Sequence, residues 1–199
     1  MTKLLLPAFT FLFVMTAQSQ NISDLESYEK AMKPGTVLTY DVNNKDKKYQ
    51  FIVTLKKIGD EIGFDWKMTE PVNKTGSVVM NAGAVANADA LFHSLAGGDS
   101  KLDRETSVFI SRKIFNDVST TSIANIKLNG ATDTLTVLGN TISEFNFNLN
   151  GNLVAIPGWE LQNTGDMKYT LDVLESFKFP IIFRIDLGWT IQLAEIKSM

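Results

Sequence analysis

The sequence predicts a mainly β, α+β fold: an antiparallel curved sheet or open barrel of about nine strands, with two or three short helices covering one face. Three observations carry this expectation. Apolar and polar residues alternate with a period of two through most of the chain. Asn-Gly dipeptides stand between two pairs of these segments, and the apolar side of the alternation is crowded with large rings. The composition agrees: 199 residues with 44% hydrophobic and 21% charged content suit a folded chain, and the lack of cysteine excludes a disulfide scaffold or a thiolate metal site.

The first segment stands outside the fold. Lys3 precedes the apolar run Leu4 to Met15, and the small residues Ala17 and Ser19 hold the spacing a signal peptidase requires. Residues 1–19 therefore read as a signal peptide and 20–199 as a single, mostly β domain, exported to the periplasm or beyond. The run is shorter than the ~20 apolar residues that cross a bilayer, and no later stretch is long enough, so no membrane span is expected in the mature chain. Nineteen basic against 22 acidic side chains leave a net charge of −3, which disfavours nucleic acid as a partner.

A helix opens the domain, because Ser23-Asp24-Leu25-Glu26 has the form of a capping box, Leu25, Tyr28 and Met32 make an apolar stripe, and Pro34-Gly35 ends it. Two half-buried strands follow over Thr36 to Val42 and Tyr49 to Leu55, joined at a solvated tip that holds Lys45, Lys47 and Lys48. The beat returns in Ile62 to Met68 and, more weakly, in Ser77 to Met80. Helices are expected over Asn87 to Ala96 and Thr106 to Val118. Strands fit Ser122 to Leu128 and Thr132 to Leu138 around Asn129-Gly130. Phe145, Phe147 and Leu149 alternate with asparagines up to Asn150-Gly151, a type I′ hairpin signal that sets Phe147 opposite Val154 and Phe145 opposite Ile156. Met167 to Val173 alternates with one wet face, and Phe177 to Ile196 holds two strands parted near Asp186-Leu187-Gly188.

Each strand leaves a row of rings and branched side chains needing cover, so the sheet must curl, fold over or wrap helices. From the inward set, Tyr40, Phe51, Trp66, Phe147, Tyr169 and Trp189 are the candidate lining of a ligand cavity; plain core packing is the alternative use of such rings. The Ala-, Gly- and Asn-rich stretch Thr75 to Ser100 reads either as a movable lid over the concave face or as a permanently packed crossover.

The segments Pro34-Gly35-Thr36-Val37-Leu38-Thr39-Tyr40-Asp41-Val42 and Tyr49-Gln50-Phe51-Ile52-Val53, behind a short helix in an exported chain, resemble uncharacterised envelope proteins with the open-barrel fold of periplasmic lipoprotein carriers. Phe179 to Trp189 is likewise similar to segments of exported proteins of unassigned function. The resemblance covers about a quarter of the chain and contains no catalytic motif. It implies a concave apolar surface under a helical lid that shields acyl chains, and carries over no binding residue.

Signals for chemistry are sparse. The single histidine, His93, adjoins Ser94 on an expected helix, where sequence neighbours do not face each other, so it reads as a solvated side chain rather than part of a triad. Asp41-x-Asn43-x-Lys45 departs from a calcium loop at its third ligand, and Ala96-Gly97-Gly98-Asp99 follows a helix where a phosphate grip precedes one. Asp60, Glu61 and Asp65, or Asp103 and Glu105, are the candidate carboxylate pairs of a hydrolase. Arg184 and Asp186 share a strand face and read as a surface ion pair. The expectation is therefore a non-catalytic protein without metal or cofactor, binding a lipid or other apolar small molecule. An envelope adaptor with a protein partner comes second, and a carboxylate hydrolase third.

Overall fold

The first two alternating segments become a long hairpin in the computed structural model, which describes residues 22–199 except 93–95, 129 and 167. Strands β1 (Val37–Asn44) and β2 (Lys47–Lys57) pair antiparallel with Tyr40 opposite Phe51, and turn at exposed Lys45 and Asp46. β3 (Ile62–Met68) and β4 (Lys74–Met80) extend the same sheet antiparallel. Helix α2 (Ala82–Asn87) then returns the chain, so that β6 (Gly98–Leu102) lies parallel to β4. The stretch read as lid or crossover is thus built into the sheet. Two-residue strands β5 (Ala90–Leu91) and β7 (Glu105–Thr106) pair with each other, and β5 bridges to β8 (Ile123–Leu128) beyond α3 (Arg112–Thr121).

β8 and β9 (Ala131–Val137) form a hairpin, and a short 3-10 turn leads to β10 (Ser143–Leu149) and β11 (Asn152–Asn163). Asn150 and Gly151 take φ of 53° and 85°, the conformation a type I′ turn demands, and Phe147 faces Val154 and Phe145 faces Ile156 as the spacing predicts. β12 (Thr170–Leu174), β13 (Ile182–Asp186) and β14 (Thr190–Lys197) complete, among the described residues, a single, mainly antiparallel sheet of 14 strands.

Five of these strands, β10 to β14, close into a barrel, because β10 pairs β11 along one edge and meets β14 in parallel at Asn148 and Leu149. β14 therefore holds three neighbours: β1 on one edge, β13 and then β10 on the other. The remaining strands extend from β14 and β11 as two arms. The sequence expectation of about nine strands falls short of this count, in part because β5 and β7 have two residues each and β6 (Gly98–Leu102) carries a single large apolar residue, so none of the three shows a period.

Residues 22–31 form helix α1, which packs Tyr28, Ala31 and Met32 into the interior. The Tyr28 hydroxyl donates to the Phe179 carbonyl, Asp24 accepts from the Ala155 amide at 3.1 Å, and Glu29 takes bonds from Ser176 and Lys178. The helix already includes Ile22, so Ser23 lies inside its first turn and is not the cap. Its start, like the signal peptide read in residues 1–19, lies outside the described residues. Among those described, no helix is long and apolar enough to cross a membrane.

Two apolar cores form, where the sequence suggests one. The larger joins α1, the inner faces of β1 to β4 and the barrel rings Phe145, Phe147 and Phe183; the second lies between α3 and strands β8, β9, β11 and β12. β11 serves both: Val154 and Ile156 belong to the first, Trp159 and Leu161 to the second. The change occurs at Gly158, the last partner of β10 and the first of β12. On β12 and β13 both faces are covered, with Leu174, Ile181 and Phe183 on one side and Leu171, Val173 and Ile182 on the other. The wet face expected beside Tyr169 and Leu171 holds at exposed Lys168 and half-buried Thr170 and ends at Asp172, which is buried.

Two expected helices are displaced. The helix read over Asn87 to Ala96 stands at Ala82–Asn87, capped by Asn81, whose side chain accepts from the Ala84 amide at 2.8 Å. Leu91 and Phe92 are not a helical stripe: they pack into different cores, as strand neighbours do. The helix read over Thr106 to Val118 begins only at Arg112, where Ser111 caps the Ile114 amide at 3.2 Å. His93 lies outside the described residues.

Candidate functional site

Strand alternation sets two concavities back to back on β1, β2 and β14. Tyr40, Phe51 and Ile191 point into the first core, while their chain neighbours Asp41, Gln50 and Gln192 point outward.

On the inner side is a small apolar pocket of about 60 Å³. Tyr40 and Phe51 form one wall with ring centroids 5.9 Å apart, Ile182 and Ile185 another, and Phe92 and Trp189 flank it. The Tyr40 hydroxyl donates to the Ile182 carbonyl at 3.1 Å, and burial holds its pKa far above the ordinary value, so it remains a neutral donor. Val108 completes the lining with φ of 69°, a conformation that a β-branched residue adopts only when its surroundings enforce it. The Val108 carbonyl accepts from the Ile182 amide at 2.8 Å, which ties this strained residue to the pocket wall.

Of the six ring residues selected from sequence, Tyr40, Phe51 and Trp189 line this pocket, and Trp66 packs behind Phe51 at 6.1 Å. The Trp66 indole N–H is buried and makes no hydrogen bond. Phe147 lies elsewhere in the same core, edge-on to Tyr28 at 6.3 Å. Tyr169 belongs to the second core, with its hydroxyl 3.1 Å from Asp133. It does not line the pocket, which takes Leu91, Ile182 and Ile185 from the second core but not Tyr169. Sequence reasoning missed Phe92, Val108 and Ile185; the first was assigned to a helix, and no local pattern announces the positive φ of the second.

On the outer side, an open groove of about 1010 Å³ runs between β10 and the outward face of β2, β1 and β14. Its lining is largely polar, with Leu153 as its exposed apolar side chain.

No family model, curated protein or solved structure matches the chain.

Of the acidic residues considered from sequence, Asp103 and Glu105 both line an open surface pocket of about 460 Å³ together with Asp89, Lys101, Arg104 and Lys127, and the others are held in separate ion pairs. Asp65 pairs with Lys56 at 2.9 Å, Glu61 with Lys57 at 2.6 Å, Asp60 with Arg112 at 3.5 Å, and Asp103 accepts from Asn81. Arg184 and Asp186 do not pair on the surface. Arg184 Nε donates instead to Asp172 at 2.8 Å, and Asp186 accepts from the Gly188 amide. Asp172 stands opposite Glu160 in the β11–β12 register, and its second oxygen has no partner. Burial pushes its pKa up to about 6 against the opposing pull of Arg184. Asp172 has 2% of its side chain exposed, and its partner Arg184 has 35%.

Asp172 makes stability depend on pH. The folded state holds the Asp172 proton more tightly than the unfolded chain, whose aspartates titrate near ~3.9. The contribution is therefore complete below pH ~4 and is lost as pH rises through about 6. Relative to Asp172→Asn, the wild-type protein should lose on the order of 3 kcal/mol between pH 4 and pH 7. Urea unfolding of both proteins across that range measures it. A constant difference would mean that Asp172 titrates as an ordinary aspartate.

Proposed function

We propose that the protein is a non-catalytic binding protein that seats the apolar end of an amphipathic ligand between Tyr40, Phe51, Phe92, Val108, Trp189 and Ile191. The observation that carries this reading is the pocket itself, a gap lined by rings and branched side chains of both cores. Interiors of folded chains close such gaps unless something else fills them. The enforced φ of Val108 at its edge points the same way, since backbone strain persists where function maintains it.

The size limits the cargo. Pockets that enclose a whole small molecule measure roughly 300–1,000 Å³, so this one takes a terminal segment of a few carbons and leaves the rest of the ligand outside. An open-barrel carrier that swallows entire acyl chains, the finer expectation from the sequence resemblance, would need this pocket to enlarge. Combined with the leader read in residues 1–19, the proposal places binding in the periplasm or beyond.

The same dimensions support a second reading, an adaptor that captures one apolar side chain of a partner protein, as anchor residues fill interface pockets. One experiment tests both. Isoleucine-methyl NMR spectra are recorded while hexanoate, octanoate and decanoate are added. Saturable shifts confined to Ile182, Ile185 and Ile191 are expected, with binding weakened at least about tenfold by Ile191→Phe at the half-exposed rim. Shifts with the hexanoate tail but no gain from longer chains would favour a single side chain as cargo. No saturable shift with any of the three removes the ligand reading.

A further inference from the structure

The outer groove carries a separate inference. Its polar lining is dominated by carboxamides: Asn43 on β1, Gln50 on β2, Gln192 on β14, and Asn146 and Asn148 on β10. The charged lining is slight and mixed, with Lys48 against Asp41 and Glu70. Nothing in that balance attracts an ion, a phosphate or a nucleic acid. Carboxamides each donate and accept at once, and so match a partner whose groups do the same.

Their placement is rigid. Asp41 faces Gln50 across one ladder and Gln192 across the other, which sets three planar side chains abreast on adjacent strands. Gln50 Nε2 donates to Asp41 at 3.3 Å, and the Gln50 amide donates to Thr69 Oγ1 at 2.9 Å, so this row is held before any ligand arrives. The opposite wall is β10, whose ladder to β14 covers only Asn148 and Leu149. Upstream of those residues no ladder joins the two strands, and the apolar side chain exposed in the lining there is Leu153 of β11. Half-buried Tyr49 adds a ring to the lining.

A polar row of paired donors and acceptors flanked by exposed Leu153 and the half-buried Tyr49 ring fits a molecule with hydroxyl edges and apolar faces. We infer that this groove binds an uncharged oligosaccharide, with the carboxamides of Asn43, Gln50, Asn146, Asn148 and Gln192 bonding its hydroxyls and Tyr49 and Leu153 covering a sugar face. The volume of about 1010 Å³ suits several rings rather than one. This site is on the opposite face of the sheet from the apolar pocket and does not depend on it.

Isothermal titration with chitohexaose, cellohexaose and maltohexaose tests the inference on the full chain, together with amide NMR spectra to locate any binding. At least one of the three should bind saturably with a Kd of roughly 10 μM to 1 mM, perturbing residues of β10 and β14. The double variant Asn146→Ala/Gln192→Ala, both at exposed positions that tolerate truncation, should weaken that binding at least about tenfold, while Lys101→Ala, remote from the groove, should leave it unchanged. Failure of all three sugars to bind overturns the inference. So does binding that the double variant leaves intact, or a groove that takes a neutral Gly-Ser peptide as well as it takes the sugars.

Discussion

Replacing Gly158 with alanine is expected to cost about 3 kcal/mol or more of folding stability. The added methyl would sit 2.6 Å from Phe145 Cε2 and press against the carbonyl oxygen of Val173. Phe145 is itself stacked on Phe183 at 4.6 Å, and the Val173 oxygen belongs to the neighbouring strand, so neither yields cheaply. Gly158 has an ordinary backbone conformation, which makes the penalty one of space alone. Gly151→Ala supplies the comparison: its φ of 85° disfavours a side chain, but nothing stands within 4 Å, and a loss of about 1 kcal/mol is expected. Denaturant unfolding of the two variants measures both. Equal losses would mean that the crossing of β11 between the cores is looser than its packing indicates.

Tyr28→Ala should destabilise by about 3–5 kcal/mol, the range for removing a buried aromatic side chain. Tyr28 is completely buried, packs edge-on against Phe147 and donates to the Phe179 carbonyl, joining α1 to the barrel. Tyr28→Phe keeps the ring and removes only the donor, for an expected loss of about 1–2 kcal/mol. A phenylalanine variant as destabilised as the alanine variant would place the hydroxyl, rather than the ring, at the centre of that attachment. Amide exchange should show the loss concentrated in residues 22–31 and in the segment around Phe179.

Much of the sheet was legible because its signals are local. The turn at Asn150-Gly151 fixes its own geometry, and from it follows the facing of Phe147 with Val154. The alternation of Ile62 to Met68 matches β3 for the same reason: one buried face imposes a period of two. What failed depends on distant partners. Ala90 and Leu91 are a strand only because β7 and β8 lie beside them, and two residues cannot display a period. Asp172 resembles a solvent-facing residue, since charged side chains are seldom buried, until Arg184 is placed next to it. Half of the candidate site was accessible in the same way. Tyr40 and Phe51 follow from strand alternation, whereas Phe92 and Val108 arrive in the pocket from segments whose course no short-range rule dictates.

The three-way junction at β14 also constrains the order of assembly. β1 precedes β14 by nearly the whole described sequence, yet Val37 finds its second neighbour only in Lys197, and both β10 and β13 wait for the same strand. Until residues 190–197 are in place, three earlier strands keep bare hydrogen-bonding edges, the kind of surface that invites mispairing with other chains. Ring closure through such remote partners makes maturation slow, and it gives a single late event command over whether the whole sheet sets.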